Sequence, residues 1–241
     1  MKGSGEGENI MFDPVMMVMQ PRQIDESLNS LKQNIDIPKV WFKAYTERQV
    51  MARMNEYIKE TNFSHYIVMS DDGVVSKKAA DTILKYGEMT EYDVFTGWMN
   101  MHIEPDGKLS YISTVCQGRL PMVMDVLKGP VREEYPPWLP IEWVMEQTGV
   151  IQTSIANFAM SIAPREVFLK HPLQTWDNGR SSDHFWSVLL EQDGLKVWTH
   201  PDAFIKHLRR GWKPWRHNWL VGNRKPETIY EGKWRRREHY V

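Results

Sequence analysis

Short apolar runs alternate with helix-length amphipathic segments from Pro14 onward, and that alternation predicts an α/β fold. Two further observations agree with it. The chain has 241 residues, 41% of them hydrophobic and 25% charged, a globular balance with room for one large domain or two small ones. An early apolar run also ends in paired carboxylates, as expected where the strand ends of an open α/β sheet face a ligand crevice.

VMMVM at 15–19 reads as a buried strand, and a Pro-Arg turn leads from it into 24–35, where Ile24, Leu28, Leu31 and Ile35 recur at helical spacing. KVWFKAY at 39–45 reads as the second strand. Thr46 can cap the next helix, whose Val50, Met51, Met54, Tyr57 and Ile58 share one face. SHYIVMS at 64–70 is the third strand; after Asp71-Asp72-Gly73, Ser76 can cap a helix containing Ala79, Ile83 and Leu84, and YDVFTGWM at 92–99 is the fourth strand. The first hundred residues thus look like a nucleotide-binding βαβ half. Regularity then fails. EPDG at 104–107 is a turn joining two strand-like runs, and 118–140 carries five prolines, which predicts an irregular excursion and places a substrate loop there. A short helix at 141–147, a strand at 156–162, a capped helix at 181–194 ending in glycine, and closing strands in LKVWTH and AFIKHL complete the reading. Residues 1–13 are expected as a flexible leader and 211–241 as a basic, Trp-rich tail around a domain at 14–210.

Thirty Lys and Arg against 31 Asp and Glu give a formal net charge of -1, so the total implies no global attraction to nucleic acid. The charge is uneven, however: 206–237 holds 11 basic and two acidic residues, leaving an acidic body and a basic tail. Cys116 is the single cysteine, and no Cys/His cluster has zinc-finger spacing, which argues against a disulfide scaffold or structural zinc and fits a reducing, cytoplasmic compartment. The apolar run at 15–19 is far short of the roughly 20 residues of a membrane span, and neither a signal peptide nor a transmembrane helix is expected.

Three places could carry chemistry. Asp71 and Asp72 at a strand end suit Mg²⁺ or Mn²⁺ bridging to a diphosphate, while a solvated turn with helix-capping aspartates would give the same letters. Asp183 falls in the first turn of its helix, where the dipole favours an ionised carboxylate suited to a general base; ordinary capping chemistry looks alike. His207 follows a strand-like run, and such an imidazole is either a metal ligand or a packed histidine.

In their order and spacing these parts resemble the GT-A family of nucleotide-sugar glycosyltransferases. SDDG supplies Ser70, Asp71 and Asp72 where that family has its Asp-rich DXD metal motif, and SSDHFWSVLLEQDGLKVWTHPDAFIKHLR is similar to its succession of acid, helix, glycine turn, x-P-x-A and histidine. The resemblance implies a single GT-A (Rossmann-like) domain with a central mixed, mostly parallel sheet flanked by helices, its nucleotide-binding half at 14–100 and its acceptor half at 101–210. It implies metal-dependent, inverting and non-processive transfer of a hexosyl group from a nucleoside-diphosphate sugar to an acceptor hydroxyl, with Mn²⁺ or Mg²⁺ as cofactor. Carried over, Asp72 and His207 hold the metal, Asp71 holds it or contacts the donor ribose beside Ser70, and Asp183 takes the acceptor proton. Gln20, Arg22, Tyr45 and Arg48 are donor contacts by position, in the turns after strands one and two. Trp176 and Asp177 are acceptor contacts, Asp177 also an alternative base, and Trp138, Trp143 and Trp186 either stack on sugar or pack in the core. The turn after strand two lacks the Asp-Asn-Gly-Ser-type sequence of the largest inverting branch, which leaves the donor base open; retention stands beside inversion because both stereochemical classes use this fold, and the absence of a Gln-x-x-Arg-Trp signature disfavours a processive synthase.

Trp212, Trp215, Trp219 and Trp234 within the basic tail suit an anionic membrane surface, single-stranded nucleic acid, or a solvated tail on the acidic body. The expected partners are a nucleotide sugar and a glycan, lipid-linked or protein acceptor, with peripheral membrane contact through the tail; nucleic acid is disfavoured. Two rival functions stand beside this one: a metal-dependent nucleotidyltransferase, against which QPRQ at 20–23 lacks the Gly-rich loop, and a non-enzymatic nucleic-acid or membrane binding module.

Overall fold

The computed structural model describes residues 11–19, 24–43, 46–103, 110–118, 138–175 and 182–207. In chain order the elements are β1 (Pro14–Met19), α1 (Asp25–Asn34), β2 (Lys39–Phe42), α2 (Glu47–Glu60), β3 (His65–Ser70), β4 (Gly73–Val75), α3 (Lys77–Gly87), β5 (Val94–Thr96), β6 (Asn100–Ile103), β7 (Ser110–Cys116), β8 (Trp138–Pro140), α4 (Ile141–Glu146), β9 (Ile151–Thr153), β10 (Ala159–Pro164), α5 (Arg165–Lys170), α6 (Ser182–Gln192), β11 (Val197–Thr199), a 3₁₀ turn (Pro201–Ala203) and β12 (Ile205–His207).

Seven strands form the central sheet in the order β2-β1-β3-β10-β5-β11-β9. β1 runs parallel to β2 and β3, and β5 parallel to β11, while β10 opposes β3 and β5 and β9 opposes β11. The sheet is therefore mixed and mostly parallel, and strands from both sides of residue 100 interleave in it. β1 is buried along its whole length, which is why it reads as a continuous apolar run. Its alternate residues serve opposite faces. Met16 and Val18 join Ile67, Met69, Leu31 and Ile83 on one side, whereas Val15 and Met17 join Tyr66, Val68, Met51, Met54 and Trp186 on the other.

The helix ends follow their sequences. Thr46 Oγ1 accepts from Gln49 N at 3.2 Å and Ser76 Oγ from Ala79 N at 3.1 Å. α6 closes with Gly194 N donating to Glu191 O and Leu195 N to Leu190 O, both at 3.0 Å, around a glycine φ of 74° that disfavours any side chain.

Three expectations are corrected. The strand anticipated at 156–162 begins only at Ala159, because Ala156 N is taken by Ser187 Oγ at 2.9 Å and Asn157 O by Thr96 Oγ1 at 3.0 Å instead of by a ladder. The strand at 92–99 narrows to Val94–Thr96: at Gly97 the chain crosses so near β10 that a Cβ would lie 2.3 Å from Ala159 O. Between the aspartates and the Ser76 cap, where the sequence predicts only the start of a helix, lies the short strand β4. The EPDG turn and residues 119–137 of the proline-rich excursion lie outside the described residues, and so do residues 1–10 of the leader and the tail at 211–241. Among the described residues no helix is long and apolar enough to cross a membrane.

Candidate active site

β3 ends at Ser70, and the turn that follows carries Asp71 at 0% and Asp72 at 6% exposure. A solvated turn is thereby excluded. Both Asp72 oxygens are engaged: Oδ1 accepts from the Ser70 hydroxyl, and Oδ2 lies 3.2 Å from His207 Nε2. The meeting is made by backbone pairing, since β12 runs antiparallel to β4 with His207 opposite Gly73. The packing around Gly73 is close, since a Cβ would come within 2.7 Å of Met69 Cε and 2.8 Å of Ile205 Cγ2 and would displace those side chains.

The neighbouring strand is bent where it passes this turn. Ser70 N donates to Phe158 O at 2.8 Å, and β10 then bulges at Met160, a buried non-glycine residue at φ 66°. Such a backbone costs free energy and persists only where its surroundings determine it. A buried network does so here: Thr96 Oγ1 pairs with Ser161 Oγ at 2.8 Å, Asn157 Nδ2 donates to Gly97 O at 3.0 Å, and Ala159 N donates to Asn157 Oδ1 at 3.1 Å.

β12 is delivered by an anchored turn. His200 Nδ1 accepts from Asp202 N at 3.1 Å, its ring stacks on Tyr86 with centroids 5.4 Å apart, and Lys78 pairs with Asp202 at 2.8 Å. Burial holds the His200 imidazole below the ordinary histidine range, against the opposing pull of Asp202. Trp98 completes the anchor, its indole donating to His200 O and Pro201 O at 3.1 Å each.

Asp183 lies in the first turn of α6, half-buried, and its Oδ1 accepts from His184 N at 2.8 Å. The start of that helix is held by a residue the sequence reading missed. Glu47, at the beginning of α2, accepts from Ser182 N at 3.1 Å and from the Ser182 hydroxyl through the same Oε1. A carboxylate at a helix N-terminus is favoured by the unpaired amides and the dipole. Next to it, Arg48 Nε approaches Thr175 Oγ1 at 3.5 Å, which directs this candidate donor contact toward the segment before α6. The stretch 156–158 links the two regions, contacting β3 through Phe158 and α6 through Ala156 and Ser187.

Of the tryptophans offered as sugar platforms, Trp186 is fully buried, stacked on Phe168 at 4.8 Å and donating to His171 O at 2.9 Å, so it is core. Trp143 packs partly buried against the main cluster. Gln20, Arg22, Tyr45, Trp176 and Asp177 lie outside the described residues, as does the side chain of Trp138. Between α1 and β2, Leu28, Lys32, Trp41 and Lys43 line a cavity of about 200 Å³, with Lys32 Nζ 6.0 Å from the Trp41 ring centroid.

Among the described residues no three His, Cys, Asp or Glu side chains gather as a metal cluster. Asp72 and His207 form a pair. Their 3.2 Å separation is close to the roughly 3 Å between adjacent ligands of an octahedral cation with bonds of about 2.1 Å, so the donor set fits such an ion if other ligands complete it.

No family model matches the sequence, and no curated protein does. Among solved structures, the chain is similar to the crystal structure of GalNAc-T7 with UDP, GalNAc and Mn²⁺, with a TM-score of 0.55 and 10% identity over 86% of this chain and 46% of that one. The chain thus spans about half the length of that protein. It is also similar to A197 from STIV, with a TM-score of 0.47 and 11% identity over 86% of this chain and 99% of that one. The first likeness shows a GT-A-like fold. UDP, GalNAc and Mn²⁺ belong to GalNAc-T7.

Proposed function

We propose that the protein is a metal-dependent glycosyltransferase that moves a sugar from a nucleoside-diphosphate sugar to an acceptor hydroxyl. The observation that carries this reading is the buried Asp72–His207 pair just beyond the carboxyl end of β3, the end where open α/β sheets bind ligands. Asp72 and His207 would hold Mn²⁺ or Mg²⁺, which when bound supplies Lewis-acid stabilisation of the negative charge on the departing diphosphate. Ser70 fixes the Asp72 carboxylate through its hydroxyl, and Asp71 beside it would hold the metal or contact the donor ribose. The Lys32, Trp41 and Lys43 groove offers a flat ring and positive charge to a nucleoside diphosphate.

Asp183 receives the proton of the acceptor hydroxyl, so that the acceptor oxygen bonds to the anomeric carbon as the bond to the diphosphate breaks, inverting that centre. The helix start favours the ionised carboxylate this needs. The acceptor is a glycan, lipid-linked or protein hydroxyl, and the basic tail supplies contact with an anionic surface where a lipid-linked acceptor lies.

Calorimetric titration of UDP and GDP with and without Mn²⁺ tests the reading. At least one nucleotide is expected to bind tenfold or more tightly with the cation, because Asp71 and Asp72 otherwise repel its phosphates. Equal affinity in EDTA would remove the metal bridge. A nucleotide-sugar screen that finds no Mn²⁺-dependent hydrolysis would remove sugar transfer.

A further inference from the structure

The β4–β12 pair that brings Asp72 to His207 is a two-stranded ladder of three residues each, too small to stand alone in water. One edge of β4 is used by β12. On the other, α1 takes the place of a strand. Ser27 Oγ donates to Gly73 O at 2.6 Å, Ser30 Oγ accepts from Val75 N at 3.1 Å, and Asn34 Nδ2 donates to Val75 O at 2.7 Å. Ser30 Oγ also donates to Ser27 O at 2.8 Å, so its hydroxyl is used in both directions. Residues 27, 30 and 34 are spaced by three and four and lie on one helix face. Lys206 of β12 reaches the same helix, its Nζ 3.4 Å from Glu26 Oε1.

Ser27 and Ser30 are buried, and buried hydroxyls cost free energy unless hydrogen-bonded. Apolar side chains would pack α1 against the sheet as well. What they could not do is read the polar backbone of β4 at Gly73 and Val75, which fixes where Asp72, one residue earlier, stands relative to its partner.

We propose that Ser27, Ser30 and Asn34 are positioning residues that hold Asp72 and His207 at cation-ligand spacing. This rests on the cation-binding reading above. Loss of groups that orient metal ligands typically weakens metal binding about 10- to 100-fold, so the effect is measurable without any turnover.

The test is a Mn²⁺ titration of the full chain, followed by the electron paramagnetic resonance of the unbound ion. Four proteins are compared with the unaltered one: Asp72→Asn, the double variant Ser27→Ala/Asn34→Asp, Asn34→Asp alone, and Leu31→Ala. Leu31 is fully buried on the same helix but is not among the residues bonded to β4, so its truncation lowers the melting temperature while leaving the clamp intact. Expected is a loss of about tenfold or more in Mn²⁺ affinity for the double variant, a smaller loss for Asn34→Asp, and a change within twofold for Leu31→Ala at a temperature where all are folded. Should the double variant not fold, Asn34→Asp at its half-buried position is compared with Leu31→Ala in the same way. Mn²⁺ binding by the unaltered chain that the clamp variants leave intact, or that Leu31→Ala weakens equally, overturns the positioning role alone. Absence of Mn²⁺ binding, or binding indifferent to Asp72→Asn, overturns the cation reading and this proposal with it.

Discussion

The corner around Asp72 and the start of α6 around Asp183 hold their carboxylates in opposite ways. Asp72 is almost wholly buried and bound on both oxygens, one to a neighbour two positions back and the other to His207, 135 positions ahead. Asp183 is half-buried and accepts from the amide of the next residue, on a helix whose first residue is anchored by Glu47. One position is set by strand pairing and the other by helix-end chemistry. The difference matches the proposed roles: a cation ligand must stay fixed in a charged, dehydrated place, whereas a base must meet an incoming hydroxyl.

The largest effect that would sharpen this contrast is expected from Asp183→Asn. With its position kept by the helix, the amide should leave donor affinity nearly unchanged and lower transfer roughly 10²- to 10⁴-fold, the usual contribution of a general base. Steady-state rates with a verified acceptor, set beside calorimetric donor binding, measure both. Full transfer by the variant would move the base elsewhere, to Asp177 first.

Asp72→Asn should show the reverse pattern. Loss of a charged ligand to a hard cation is expected to weaken Mn²⁺ and nucleoside-diphosphate binding together, by about ten- to a hundredfold. If Mn²⁺ affinity fell while metal-supported nucleotide affinity held, the two ligands would not share a site.

Much of the scaffold under this contrast was legible in the sequence. A strand buried on both faces has to be apolar throughout, so VMMVM and YIVM announced β1 and β3; Thr46 and Ser76 announced their helices by capping. The site was less legible. His207 and Asp72 could be joined only by resemblance, because β4 is a Gly-Val-Val triplet whose strand character comes from β12, far along the chain. Ser27, Ser30 and Asn34 fall between the apolar positions Ile24, Leu28, Leu31 and Ile35 that mark the helix, and drew no assignment of their own. Their signal was present, since Ser27 and Ser30 immediately precede the buried Leu28 and Leu31, but a serine does not announce that it replaces a strand edge. Glu47 was hidden in the same way, as an ordinary first-turn acid of α2 whose partner is on another helix.

A smaller effect would test whether the α6 start depends on that acid. Glu47→Ala removes the acceptor from both the amide and the hydroxyl of Ser182, and a lost helix N-terminal acceptor typically costs about 1 kcal/mol. For a chain of this size the melting temperature should fall by roughly 2–4 °C. Glu47→Gln keeps an oxygen there and should recover most of the loss. Transfer should fall with Glu47→Ala more than Mn²⁺ binding does; equal losses would mean that the two regions are not independently held.

The smallest expected effect concerns pH and the turn that delivers β12. His200 accepts from Asp202 N through Nδ1, so a proton on that nitrogen would break the cap, and burial holds its imidazole below the ordinary histidine range. Asp202 pulls the other way, while Lys78 and Lys85 add to the lowering. With a folded-state pKa below the unfolded one, the unfolded chain takes up the proton first; the stability this histidine contributes is present above about pH 6.5 and is lost as the pH falls through the folded value. His65, His171 and His184 are lowered by burial as well, so the melting temperature should drop between pH 7.5 and 5.5 for several reasons at once. Asn at position 200 can accept the same amide without titrating. His200→Asn should therefore melt with a shallower pH dependence, and Mn²⁺ affinity at pH 6 should fall less than in the unaltered chain if the turn is what carries His207 to Asp72. An unchanged slope would assign the acid sensitivity to the other buried histidines and leave the β12 turn indifferent to pH.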